Sequence, residues 1–399
     1  MRYSRLLTPA LFILWFVFIA ANSLNAQEMA VTANSSSDSK FQMPDLVQRA
    51  REFRRDMDDR GMTAGLVLVN DWSTNLRGGA SSSSFNRYSL DLSLTVDTSK
   101  LVGWHGGAAS VRFKNHVGEV GGDYVGDEQG FSNIDDVSRT HLYEVWYEQR
   151  LVADRVRLKV GKVDANSSFA SVRVAADFLN SSMGYSPTIL ALPTYPEPKP
   201  SINVFLAPKL HYQVSAGLFR TGLGGKMLLF EGGRDWTITE RELGGRSSFG
   251  MWHLTGPVPC FDGDHLNGTQ GYYAVAEQAL WKPKDASQQK ELDAFFQFGL
   301  ANGDVNRFTR HVGAGVVLQS PFAGRPRDSV GIAATSARFT DEPDAGYQYH
   351  TETAIEAYYK VVLGKHFAVA PDVQFIHHPG GLLLQKNAIV LTPRLTLNF

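Results

Sequence analysis

The stretch A-I-V-L-T-P-R-L-T-L-N-F, Ala388 to Phe399, alternates without a slip. Ile389, Leu391, Pro393, Leu395, Leu397 and Phe399 are apolar, while Thr392, Arg394, Thr396 and Asn398 are polar. Successive side chains of a strand point to opposite faces, so this segment has one apolar face and one wet face. Two settings suit it: half-buried in a soluble sheet or, at about ten residues, tilted across a bilayer as one strand of a barrel. The choice depends on whether the rest of the 399-residue chain repeats the pattern.

The pattern recurs. Tyr88 to Val96 sets Leu90, Leu92, Leu94 and Val96 against Ser89, Asp91, Ser93 and Thr95, and Ala109 to Val117 sets Val111 and Phe113 against Arg112, Lys114 and His116. Arg155 to Val160 reads R-V-R-L-K-V. A face carrying three cations enters a dry core only at prohibitive cost, but it can line a water-filled lumen. Comparable segments lie at Leu142–Glu148, His211–Phe219, Glu291–Leu300, His311–Leu318, Ile355–Leu363 and Phe367–Phe375, separated by turn signals such as Asn302-Gly303-Asp304 and Gly380-Gly381. From Ala64 onward the chain has room for about sixteen strands at ~20 residues per strand and connection, an even number within the range of outer-membrane barrels. The expected fold is all-β: a transmembrane antiparallel β-barrel of about sixteen strands, with a short N-terminal helix and long extracellular loops.

The N-terminal region reads as an export signal. Arg2 and Arg5 precede an apolar run, Leu11 to Ala21, and the small residue Ala26 marks a cleavage point. No later run of eighteen apolar residues exists to span a membrane as a helix. A single cysteine, Cys260, excludes an internal disulfide framework. With 39 Lys+Arg against 40 Asp+Glu, the charge gives no reason to expect nucleic acid as a partner. Pro44 opens and Gly61 closes a helical stretch whose apolar residues Leu46, Val47, Ala50, Phe53 and Met57 form one narrow stripe, suited to packing at the barrel rim or mouth. The expected organisation is a signal peptide (1–26), a disordered polar leader (27–43), a helix (44–61) and an outer-membrane barrel (64–399).

Three stretches, 118–139, 169–207 and 227–270, are too long for hairpin turns and are expected as loops, which carry function in such barrels. The middle one holds Pro187, Pro193, Pro196, Pro198 and Pro200, which would stiffen it; a stiff loop can fold into the lumen and narrow it, and composition equally allows an external loop of no consequence.

An ordered set of short motifs resembles one family. It comprises Asn75-Leu76-Arg77-Gly78-Gly79, Gly103-Trp104-His105-Gly106-Gly107, Leu142 to Gln149, Val160 to Asp164 and Phe178 to Gly184. Near the other end it continues with Glu356 to Lys360 and Pro371 to Gly381. In order and spacing these are similar to the carbohydrate-selective porins of the OprB type, from about residue 44 to Phe399. That resemblance implies a sixteen-stranded outer-membrane barrel passing mono- and small oligosaccharides by diffusion, with inward loops forming a constriction of charged and aromatic side chains. The motifs depart from the family mainly in 227–270. A terminal strand ending in Phe399 resembles the closing strand of bacterial outer-membrane barrels, implying recognition by the barrel-assembly machinery. Outer-membrane lipid and lipopolysaccharide are the expected surroundings, and the state is a monomer or a homotrimer.

Sugars offer hydroxyls for hydrogen bonds and C–H faces for stacking, so a sugar-passing wall needs fixed donors, carboxylates and aromatic platforms. Strand parity nominates Asp91, Arg112, Lys114, Glu144, Trp146, Glu148, Arg155, Arg157, Lys159, Glu356, Tyr358, Asp372, Gln374 and Arg394 as lumen-facing, each alternatively a charge that only braces the wall. No catalytic, cofactor-binding or metal-ligating set is expected. Asp262-Gly263-Asp264-His265 could bind a cation and His377-His378 a metal, but a tight Asp/Gly loop is more often only a turn, and adjacent histidines on a strand point to opposite faces. A non-selective porin, a receptor or adhesin, a barrel hydrolase and a soluble exported β-protein are the competing readings.

Overall fold

The structure, a computed structural model, describes residues 43–238, 242–284 and 290–399. The expected signal peptide and most of the polar leader lie outside the described residues. A helix, α1, occupies Met43–Asp59, where 44–61 is expected. Phe53 on it is exposed and Met57 half-buried.

Among the described residues sixteen strands close into one antiparallel barrel. They begin with β1 (Met62–Gly79), β2 (Ser84–Asp97), β3 (Gly107–Gly118), β4 (Arg139–Leu151), β5 (Val156–Val163) and β6 (Lys199–Lys209). Next come β7 (Tyr212–Arg220), β8 (Lys226–Ile238), β9 (Leu243–Pro259), β10 (His265–Trp281) and β11 (Glu291–Ala301). The last are β12 (Phe308–Gln319), β13 (Ser329–Phe339), β14 (Thr351–Leu363), β15 (Phe367–His377) and β16 (Lys386–Asn398). Each strand pairs with its sequence neighbours, and β16 closes on β1 with Asp71 opposite Arg394 and Leu68 opposite Leu397. Beyond β16, Phe399 exchanges two backbone hydrogen bonds with Leu66. Closure satisfies every strand edge, which is what a sheet immersed in hydrocarbon requires.

Polarity along the strands is inverted relative to a water-soluble sheet. Phe113, Ile202, Phe249 and Ile332 are more than half exposed, whereas Glu356, Gln374, Thr335 and His311 are completely buried. An outward apolar face and an inward polar one suit lipid outside and protein or water inside, which removes the soluble-sheet reading. Short connections at 152–155, 210–211 and 364–366 lie at one end of the barrel, and the long segments 119–138 and 164–198 at the other. The short-turn end also carries Trp104, Tyr147, Tyr212, Trp281 and Phe322, all exposed, as in an interfacial aromatic belt.

Two expected loops are corrected. Residues 227–270 are not a loop: they contain β8, β9 and the start of β10. Their alternation is hidden because glycine and serine occupy positions where a neighbour fills the space. At Gly250 a Cβ would overlap the Tyr273 ring, so the large side chain comes from the adjacent strand. The stretch 169–207 ends early, because β6 starts at Lys199 and runs through Pro200.

Candidate functional site: a lumen narrowed by two loops

Segment 164–198 enters the lumen and is held there by wall carboxylates that accept its backbone N–H groups. Glu231 on β8 accepts from Ala170 (2.8 Å) and Glu277 on β10 from Val174 (2.6 Å). Glu356 on β14 accepts from Leu179 (2.5 Å) and Asn180 (3.0 Å). Amides complete the attachment: Gln297 donates to the carbonyls of Ser182 and Met183, and Asn306 to that of Thr188. An irregular backbone inside a barrel must find such partners, and ionised acceptors make the stronger bonds. The segment passes over Gly299, where a Cβ would overlap the Ser186 and Thr188 hydroxyls.

The segment also carries apolar cargo. Phe169, Ala170 and Ile189 pack with inward-facing Phe205, Phe219, Leu229, Trp252 and Tyr273, and Phe178 and Met183 pack with Phe295, Ala333 and Tyr358. One side of the lumen is therefore a dry core formed between loop and wall. Within the segment Tyr185 is half-buried, and burial, helped by Asp164, pushes its phenol up to about 12.

Segment 119–138 forms the second inward loop. Glu352 on β14 accepts from the N–H groups of Glu128 (3.0 Å), Gln129 (2.9 Å) and Gly380 (2.7 Å). Ser132 donates to Asp71, and Gln374 donates to the Phe131 carbonyl (2.7 Å). The loops also bind one another, with Asn133 N–H donating to the Leu179 carbonyl and Ser181 N–H to that of Gly130. Asp127 is half-buried with both carboxyl oxygens shielded from solvent, and its carboxyl is pushed well above the ordinary range by burial, then by the charges of Glu352 and Asp135.

The open side of the lumen is bordered by β2–β5 and β7–β9. Arg112 bridges Asp91 (3.2 Å) and Glu144 (3.3 Å), and Lys114 pairs with Asp91 (2.8 Å). Glu148 receives Arg157 (3.0 Å), with Lys159 farther away (3.9 Å), and Arg246 pairs with Glu277 (3.2 Å). A polar cavity of about 240 Å³ adjoins this ladder, lined by Arg157, Lys159, Ser167, Ser171, Arg173, Ser215, Glu231, Asp235, Arg246 and Ser248. Carboxylates on neighbouring strands hold the guanidinium groups in fixed orientations, so their free N–H edges present an ordered set of donors to a passing solute.

The nominated residues divide into two groups. Asp91, Arg112, Lys114, Glu144, Trp146, Glu148, Arg157 and Lys159 stand along the open side. Glu356, Tyr358, Asp372, Gln374 and Arg394 lie behind the loops as braces: Tyr358 packs edge-on against Phe178, and Arg394 makes a bidentate pair with Asp71 (2.7 and 2.8 Å). Arg155 is corrected. It sits exposed in the turn 152–155, because β5 begins only at Val156. Trp146 offers no bare platform, since the Lys159 ammonium covers its ring at 4.0 Å.

Sequence parity missed Tyr143, because a bulge between β3 and β4 turns both Tyr143 and Glu144 inward. The apolar residues Leu142 and Val145, an odd distance apart on the outer face, carry that slip in the sequence. Arg173 and the anchors Glu231, Glu277 and Glu352 were also missed. The first is in a loop, and Glu231 falls in the stretch whose alternation glycine conceals.

A barrel with inward loops is a design shared by many porins, and similarity to known proteins narrows it. The model of the carbohydrate-selective porin, OprB family, matches residues 83–225 and 243–399. The chain belongs to that family. This porin is 24% identical to Porin B of Pseudomonas aeruginosa over 84% of its own length and 87% of the relative's. Its fold superposes on the high-pH structure of Pseudomonas putida OprB with a TM-score of 0.78 at 19% identity, covering 92% of this chain and all of that one. The low-pH structure of the same protein gives a TM-score of 0.60 over the same coverage. The porin is thus an outer-membrane channel of the carbohydrate-selective family, and the motif resemblance is borne out.

Proposed function

We propose that mono- and small oligosaccharides diffuse passively between the inward loops and the β2–β5 and β7–β9 wall, with Arg112, Arg157, Lys159, Arg173 and Arg246 supplying the donors that favour them. The observation that supports this most is the polar cavity beside the Glu148–Arg157 pair, where serine hydroxyls and guanidinium edges converge. Hydroxyl-rich solutes can exchange water contacts for these groups as they pass, whereas solutes without hydroxyls cannot. Transport by this route needs no cofactor, energy source or covalent step. The exported precursor loses residues 1–26 and carries the polar leader and helix before the barrel, the long loops facing outward from the cell and the short turns facing the periplasm.

The test is Arg157→Ala. Arg157 lies over the Phe205 ring at 3.9 Å and ion-pairs with Glu148, so its removal takes away one oriented donor while Lys159 remains to neutralise the carboxylate. Sugar entry into liposomes, measured relative to a salt of similar size, is expected to fall roughly fivefold, as loss of about 1 kcal/mol of hydrogen bonding predicts. An unchanged sugar-to-salt ratio would place selectivity elsewhere.

A further inference from the structure

The outer face of the barrel across β7–β10 has an unusual shape. Register places Tyr212 opposite Arg234, Gly232 opposite Phe249, and both Ser247 and Phe296 beside Ala276. These residues alternate with inward-facing Ser215, Glu231, Ser248 and Tyr273, so they face lipid. Glycine, serine and alanine at 232, 247, 274 and 276 leave a groove of about 730 Å³ between the larger Phe249 and Phe296.

A cation stands at the rim of this groove. Arg234 is exposed, its guanidinium carbon lies 5.4 Å from the Tyr212 ring centroid, and among the described residues no carboxylate comes within 4.0 Å of it. Tyr212 is the first residue of β7, next to the turn 210–211, and Trp236, the next outward residue of β8, donates its indole N–H to Gln278 (2.8 Å). Arg234 therefore sits at the aromatic belt of the short-turn end. A full charge on a lipid-facing wall is favourable there when an anionic headgroup meets it.

We propose that this groove is a phospholipid site. The phosphate of an anionic glycerophospholipid from the periplasmic leaflet pairs with Arg234, and one acyl chain fills the groove beside Phe249 and Phe296. The site rests on the reading of the chain as an outer-membrane barrel, and its position at the short-turn end selects a phospholipid over lipopolysaccharide.

Native mass spectrometry of the detergent-solubilised barrel, titrated with phosphatidylglycerol or phosphatidylcholine, tests the site, with planar-bilayer conductance as a control. Wild type is expected to retain phosphatidylglycerol preferentially. Arg234→Gln should reduce that adduct roughly tenfold, as loss of a charge-assisted contact implies, and Ala276→Phe should reduce it by filling the groove. Both variants should conduct like wild type. Equal adducts on wild type and Arg234→Gln, or a dimer or trimer that Ala276→Phe dissociates, would overturn the site while leaving the barrel reading intact. A wild-type protein soluble without detergent would overturn the barrel reading and the site together.

Discussion

Glu356 shows what a wall carboxylate does in this porin. It is completely buried on β14 and accepts the N–H groups of Leu179 and Asn180, so it holds a loop in place and does not face the solute. Glu356→Ala would leave two buried donors without an acceptor, at a cost of about 1.5–3 kcal/mol for each charge-assisted bond. The expected result is a larger, noisier single-channel conductance with the barrel still folded; a quiet, unchanged channel would contradict the anchoring role. Asp127 gives a pH-dependent counterpart. Its carboxyl is raised by burial and by Glu352 and Asp135, so the packed loop favours the neutral form. That contribution is complete below the ordinary carboxylate range near 3.8 and is lost as pH rises through the elevated value. Hydrogen-exchange protection of 119–138, corrected for intrinsic rates, should therefore be greater at pH 5 than at pH 8, and Asp127→Asn should remove the difference. Equal pH dependence in that variant would assign the effect to another group. Parity alone nominated Glu356 and Arg394 correctly as inward-facing, but it could not separate bracing from solute contact, because that depends on where the loops lie.

The loop 164–198 is the element that turns a wide barrel into a selective one. Its fixation combines hydrogen bonds to four strands with burial of Phe169, Phe178 and Met183. Phe178 meets the Tyr358 ring edge-on with centroids 4.9 Å apart, and truncation to alanine should cost about 3 kcal/mol of packing. Phe178→Ala is expected to expose the segment to limited proteolysis and to raise ion conductance while lowering sugar preference; a protease-resistant loop would contradict this. The proline run made a stiff segment legible in the sequence, while composition left open whether it folds inward or stays outside. Its contacts were not legible, because they join residues from tens to well over a hundred positions apart. Among the strands, long side chains made β2, β3, β15 and β16 readable. β8, β9 and β13 were hidden because their small residues, such as Gly250 and Ala333, yield space to Tyr273 and the loop.

At the scale of the whole molecule, one chain uses two kinds of interior. Outward-facing apolar residues meet lipid, a dry core lies between loop and wall, and a charged ladder with its adjoining cavity keeps one side of the lumen wet. The number of strands followed from chain length and period, whereas the division of the lumen into dry and wet sides did not, because it is created by the loops. The most direct measurement is the swelling rate of liposomes containing the refolded barrel, in a series of monosaccharides set against amino acids and salts of matched size. The account predicts faster entry for the sugars, and loss of that advantage in Arg157→Ala. Equal rates for all solutes of one size would reduce the molecule to a general porin, and no entry through a demonstrably folded barrel would contradict the central claim.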